Sequence, residues 1–434
     1  MPIPQSKQRT SIQDTNDHAD PADGPETAND REESGNRKSQ SSSNGAESPA
    51  RATEEAIEYA DPPEMASSKQ LMRIISNDIN LAGLVGEKHS GLLLYLIYTS
   101  RLLDRPLSAI IRGKSSSGKD EVQRVPLGLM PPEHVIEITS LTNNALYYDK
   151  DPNRFRHKII AGGELSNLSD EDSSQKTEAI RQFISNGRLT KQATIKMQSV
   201  YRVVEGPIAW TATTTLLHVP NEDLNRVLQV YTDPSPEQTR EVMKAKARQY
   251  SGEALDTTTI HEIREKHYQF QNSLKPFKVI IPFSDRLANL LPDAKVESRR
   301  VYSQVLSVVE AIALMYQHQR KSDDQGRLKA TAKDYEIARL LLLDPLHRSI
   351  GVGASYQIYK DLRKKLHKSE FDSNQALETG FNHKSTRDRA LKKLMDEELL
   401  EQLSKGSSHK PAKYRWLDKD VDELVLPSVA EVTS

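Results

Sequence analysis

Leu107-Ser-Ala-Ile-Ile-Arg-Gly113-Lys-Ser-Ser-Ser-Gly118-Lys119-Asp120 decides how this chain is read. Its first five residues form a short apolar run, the mark of a buried strand, and the Gly/Ser-rich turn after them opens a helical stretch. The spacing G-x-x-x-x-G-K is that of a phosphate-cradling loop. Gly113 and Gly118 let the backbone fold so that the N–H groups of Lys114, Ser115, Ser116 and Ser117 can wrap phosphate oxygens. Lys119 reaches the outer phosphates, and the helix N-terminus adds its dipole. Asp120 departs from the pattern, which wants a Ser or Thr hydroxyl there for Mg2+. A carboxylate offers Mg2+ an oxygen ligand but brings negative charge against the phosphates. Asp120 is therefore a candidate metal ligand in a weakened site.

Outward from the loop, brief apolar runs recur at Val135–Thr139, Lys158–Ala161, Pro207–Thr215 and Val227–Tyr231, separated by helices or long loops. Two helical stretches, Lys69–Leu81 and Lys88–Leu102, come before it. This alternation predicts an α/β domain with a largely parallel sheet. The run Lys158-Ile-Ile-Ala-Gly-Gly-Glu164 ends in an acid where such folds place the carboxylate that orients water or holds metal, so Glu164 joins Asp120 as a metal candidate. At the end of Trp210-Thr-Ala-Thr-Thr-Thr215, Thr213 and Thr214 can bond an attacking water or a phosphate; β-branched residues also simply favour strands. Arg226, in Asn221-Glu-Asp-Leu-Asn-Arg226, can reach a neighbouring subunit's nucleotide, the plain alternative being a surface arginine. Between Arg188 and Val204, two β-leaning runs with a polar middle predict an inserted hairpin. Its Lys191, Lys196 and Arg202 are candidates for the phosphates of a DNA strand.

Taken in order, GKSSSGK, the strand ending in Glu164, the hairpin, TATTT, NEDLNR and a helical segment with Ser298-Arg-Arg-Val resemble AAA+ ATPases. The similarity is greatest to minichromosome-maintenance-type helicase modules of bacterial, phage and plasmid replication proteins, some fused to primases. It spans roughly residues 68 to 420. The resemblance implies an ATP- and Mg2+-dependent motor on single- or double-stranded DNA, assembled as a homo-oligomeric ring. It implies that Lys119 is the Walker A lysine, Glu164 the Walker B acid, and Thr213 or Thr214 the first sensor. Arg226 is then the arginine finger, and Arg299 or Arg300 the second sensor. Asp120, and Gly163 where a second acid usually stands, put hydrolysis more than fold in question. The alternative is a non-hydrolysing or regulatory AAA+ DNA-binding protein.

Beyond this region, residues 1 to 64 hold hardly a large apolar side chain and are expected to stay disordered. The expected divisions are a core over 65–235, a helical lid over 236–365, a winged helix over 366–420 and a tail over 421–434. The winged-helix reading rests on a short helix, a turn, a basic helix over Ser385–Glu398 and two β-like pieces around Lys405-Gly-Ser-Ser-His-Lys410. Lys384, Arg387, Arg389, Lys392, Lys393 and Lys410 are its DNA candidates. Ala390, Leu391 and Leu394 are expected on the core side, with Arg387 and Lys392 toward solvent. A net charge of -1 over 434 residues confines any nucleic-acid surface to a patch. The absence of cysteine excludes disulfides and thiolate zinc sites. No apolar run approaches the ~20 residues of a membrane span, and the expected location is cytoplasmic.

Overall fold

A computed structural model describes residues 59–433 apart from 139–144, 149–150, 166–170, 196–197, 216–226, 253–256, 292–296, 350–358, 360–361, 382–383, 397–398, 408–409 and 418–425. Helices α1 (Leu71–Leu81) and α2 (Lys88–Thr99) precede strand β1 (Ser108–Arg112), which runs through the Gly/Ser turn into α3 (Lys119–Leu127). Then come β2 (Val135–Ile138), β3 (Lys158–Glu164), α4 (Glu171–Asn186), the hairpin β4 (Arg188–Ile195) and β5 (Gln198–Glu205), β6 (Ile208–Thr214) and β7 (Leu228–Tyr231). The following stretch is α5 (Pro236–Tyr250), α6 (Thr257–Ser273), β8 (Val279–Ile280), α7 (Ser284–Leu290), α8 (Glu297–Met315), β9 (Leu328–Lys329) and α9 (Ala332–Ser349). Last are β10 (Glu370–Asp372), α10 (Ser373–Gly380), α11 (Lys384–Asp396), β11 (Leu400–Ser404), β12 (Lys413–Trp416) and α12 (Val429–Thr433).

Five parallel strands form the central sheet in the order β2-β3-β6-β1-β7. Parallel strands buried on both faces need apolar side chains at successive positions, and β1, β3 and β6 supply them. The two-residue period divides these side chains between the faces. Ala109, Ile111, Ile159 and Ala209 join one core with α1, α2 and α3, whereas Ile110, Ile160, Ile208 and Trp210 join another with Phe183 of α4 and Leu189 and Val204 of the hairpin base. All seven residues of β6 are buried, as its place in the middle of the sheet requires.

The expected division at residue 235 does not break this core. Ile263 and Phe270 of α6, Val305 and Ile312 of α8 and Leu342 of α9 belong to the same cluster as Ala109 and Ile111. A buried polar chain also ties α6 to the first two helices. The Tyr95 hydroxyl lies 2.8 Å from His267 Nδ1, and His267 Nε2 lies 3.0 Å from Asp78 Oδ2. Burial pulls the His267 imidazole below its ordinary range. Burial pushes the Asp78 carboxyl upward, but hydrogen bonds from His267 and Lys266 outweigh it and hold Asp78 below its ordinary value.

Residues 426–433, within the expected tail, likewise pack on this core. Leu426 and Val432 are buried in the main core, and the Tyr335 hydroxyl and Arg339 Nε donate to the carbonyls of Pro427 and Leu426 at 2.8 and 3.1 Å. The apolar residues Leu426, Val429 and Val432 at helical spacing are the cause. Between α9 and this segment stands a separate three-stranded antiparallel sheet, β10-β12-β11, with α10 and α11 packed on it. Its own core joins Phe371, Leu391, Leu394, Tyr414 and Trp416. Strand β10 escapes the sequence reading because it is three residues long and is recruited only by pairing with β12. An Asp372/Gln375 capping box starts α10 directly after it. Among the described residues no helix is long and apolar enough to cross a membrane.

Candidate active site

At the carboxyl end of β1 the chain turns through Gly113–Gly118 into α3. Ser116 (φ 63°) and Gly118 (φ 86°) are left-handed, a backbone that curls N–H groups toward one concave side. Ser117 N–H closes the turn on the Lys114 carbonyl at 3.1 Å, and Gly118 caps α3. Lys119, the first residue of α3, is buried. Its Nζ lies 3.6 Å from Glu164 Oε2 and 3.5 Å from the Lys114 carbonyl. Asp120 is exposed in the first turn of α3.

Sheet order brings the rest together. β6 lies between β1 and β3, so Thr213 stands between the loop and Glu164. Thr213 Oγ1 donates toward Glu164 Oε2 at 3.4 Å, and Thr215 donates to Glu164 Oε1 from its N–H at 2.6 Å and its hydroxyl at 3.1 Å. Thr214 turns elsewhere, to the Leu165 carbonyl at 3.4 Å. The register explains Gly163. Ala161 pairs with Thr211 but Glu164 pairs with Thr213, so β3 carries one extra residue at Gly162-Gly163. A bulge of this kind re-aims the side chain that follows it. A Cβ on Gly162 would come within 3.3 Å of both the Ala212 side chain and the Thr211 carbonyl.

Other candidates are not drawn into this cluster. Arg299 is exposed and Arg300 half-buried on the first turn of α8, and no described contact joins either to Lys119 or Glu164. Arg226 and Lys196 lie outside the described residues. In the hairpin, Lys191 and Arg202 face each other across the strands on the side of the buried pair Leu189 and Val204. Both are half-buried, and Lys191 Nζ sits 5.1 Å over the Tyr147 ring. These two cations are therefore partly committed to packing.

In α11 the apolar stripe Ala390, Leu391 and Leu394 is buried, and Lys384, Arg389 and Lys392 are exposed, as is Lys410 beyond β11. The side chain of Lys393 lies outside what is described. Arg387 corrects the expectation of a solvent-facing cation. It is 7% exposed, donates from Nη1 to the Ser373 carbonyl at 2.9 Å, and pairs with Asp388. The reason is helical spacing: 387 lies one turn before 391, on the face that packs.

Two contributors escaped the sequence reading. Thr215 was visible only as one more threonine at a strand end. Thr232, one residue beyond β7, donates from its hydroxyl to Ser117 Oγ at 2.8 Å. Among the described residues no group of three or more His, Cys, Asp or Glu side chains is placed to hold a metal ion. Mg2+ bound through nucleotide phosphates needs only one or two protein carboxylates. Asp120 and Glu164 meet that need in donor chemistry, without the usual hydroxyl.

A lysine-bearing glycine loop between a parallel strand and a helix, with an acid on the strand two places away in the sheet, defines a P-loop domain. Residues 70–269 match the model of the MTBMA_p00010 P-loop domain, which covers every strand of the central sheet. No curated protein sequence matches the chain. Among solved structures, the chain is similar to a full-length MCM homolog from Methanopyrus kandleri, at 14% identity and a TM-score of 0.44. The match covers 67% of this chain and 63% of that one, less than two thirds of its length.

Proposed function

We propose that this chain is an AAA+ ATPase that acts as a motor on DNA, a helicase- or translocase-like enzyme. The observation that carries the reading is the convergence of Lys119, Glu164 and Thr213 beside a Gly/Ser-rich turn whose backbone is left-handed at Ser116 and Gly118. In this reading Lys119 leaves Glu164 for the β and γ phosphate oxygens. Glu164 then orients the attacking water, and Thr213 keeps its carboxylate aimed. Asp120 and Glu164 supply oxygen ligands for Mg2+, which when bound neutralises charge on the transferring phosphate. The resemblance to helicase modules of replication proteins supports a homo-oligomeric ring in which Arg226 serves a neighbouring subunit. Read as a winged helix, residues 370–416 offer exposed Lys384, Arg389, Lys392 and Lys410 to DNA phosphates, with Arg387 withdrawn from that role.

Asp120 favours a second reading, in which nucleotide binds and is not turned over. ATP hydrolysis by the purified protein, with and without single-stranded DNA, separates the two. The motor reading expects Mg2+-dependent hydrolysis that DNA stimulates and Lys119→Ala abolishes. Binding without turnover selects the second reading. Hydrolysis that survives Lys119→Ala removes the loop from the chemistry.

A further inference from the structure

Thr232 lies outside the phosphate loop in sequence, 113 residues after Lys119 by the numbering, yet it is built into it. Its N–H donates to the Arg112 carbonyl at 3.0 Å, extending the β1–β7 pairing by one residue. That bond fixes Thr232 beside the last residue before Gly113. From there its hydroxyl, in a residue only 4% exposed, donates to Ser117 Oγ at 2.8 Å, with the Arg112 carbonyl farther off at 3.4 Å. Gly113 leaves the room for this bridge: a Cβ there would lie 2.1 Å from Thr232 Oγ1 and 2.3 Å from Ser117 Oγ. The first glycine of the motif thus serves the hydroxyl pair as well as the turn.

The residues after Thr232 are also anchored. Asp233 N–H donates to Glu87 Oε1 at 2.6 Å, and Gln238 Nε2 donates to the Val85 carbonyl at 2.7 Å. Thr232 therefore presents its hydroxyl from a fixed wall to a loop rich in serine and glycine. Such a loop has many backbone states to lose on binding. A bond that removes those states beforehand lowers the cost of binding.

We infer that Thr232 is a positioning residue of the phosphate loop. Its hydroxyl holds Ser117, and with it the turn that carries Gly118 and Lys119, in the form that receives a nucleoside triphosphate. The inference rests on the nucleotide-binding reading above. Removing the bridge while keeping the side chain's shape should weaken binding by roughly three- to tenfold, the worth of one neutral hydrogen bond.

The test titrates a fluorescent ATP analogue with Mg2+ into the full chain, its Thr232→Val, Thr232→Ser and Ser117→Ala variants, and the Thr232→Val/Ser117→Ala double variant, with thermal unfolding alongside. Thr232→Val should lose roughly three- to tenfold in affinity, and Thr232→Ser, which keeps the hydroxyl, should stay within about twofold of the parent. Ser117→Ala should add almost nothing in the Thr232→Val background, because the bond is already gone. A merely structural role would lower the melting temperature of Thr232→Val without this rescue and non-additivity. Parent-like binding by Thr232→Val overturns the inference, as does a Thr232→Ser loss equal to that of valine, or full additivity of the two losses. If the parent itself does not bind the analogue, the proposed function falls and takes this inference with it. Parental binding with an unaffected Thr232→Val overturns the inference alone.

Discussion

In the loop Gly113–Lys119 the candidate binding groups are mostly backbone N–H groups, whereas on α11 the candidates are side chains on a helix. The loop's geometry follows from two glycines, a serine that accepts a left-handed backbone and the strand and helix on either side, all between Ser108 and Leu127. On α11 the same run of charge is divided by the fold. Lys384, Arg389 and Lys392 reach solvent while Arg387 is folded onto the Ser373 carbonyl. A motif whose chemistry resides in the backbone is legible in the local sequence, even where a distant residue such as Thr232 bonds to it. A charged helix only supplies a set of side chains, and the neighbouring element chooses which of them are available.

The contrast is most vulnerable at Glu164. Glu164→Gln should leave nucleotide affinity within a few-fold and lower turnover by roughly a hundredfold or more, as loss of a catalytic carboxylate does. Steady-state turnover beside equilibrium binding reads both numbers. Unchanged turnover would mean that residue type is as poor a guide beside the loop as it is on α11.

Next in size is Arg387→Ala. Because it strips a buried, hydrogen-bonded cation from the small antiparallel module, it should cost on the order of 2–3 kcal/mol of that module's stability while leaving ATP binding alone. Chemical denaturation followed at Trp416, buried in the module's core, would detect it. A stable variant with weakened DNA binding would restore Arg387 to the contact surface.

The exposed pair tests the contrast from the other side. Arg389→Ala with Lys392→Ala should leave the melting temperature unchanged and weaken DNA binding, flattening its salt dependence by about one unit of slope for each phosphate that is no longer neutralised. DNA affinity across a salt series measures this. An unchanged slope would make the module a partner-docking surface.

The smallest expected effect concerns pH and belongs to the α/β body. Burial, with Asp104 nearby, pushes the half-buried Glu310 carboxyl on α8 up to about 7. In the unfolded chain it titrates near its ordinary value of about 4.3. Between those two values the folded state holds more protons, so stability falls as pH rises across that window. Glu310→Gln should remove the fall and raise the melting temperature by on the order of 2 °C at pH 8, with no change at pH 4. Where the two regions melt separately, only the α/β transition should move.

Local sequence determined the phosphate loop, the parallel α/β character and most strand positions, because turn chemistry, apolar runs and the two-residue period are short-range properties. Glu164 was legible as an acid ending a strand, but not its partners. Tertiary structure decided that β6 enters between β1 and β3, which sets Thr213 and Thr215 on Glu164 and leaves Thr214 aside. It also decided the extra residue at Gly162-Gly163, the inward turn of Arg387, the docking of Leu426 and Val432, and the bond from Thr232 to Ser117. Each joins residues far apart in the chain or depends on which helix face meets a neighbour. A propensity is fixed by the residues beside it, whereas a contact exists only once the sheet order has placed both partners.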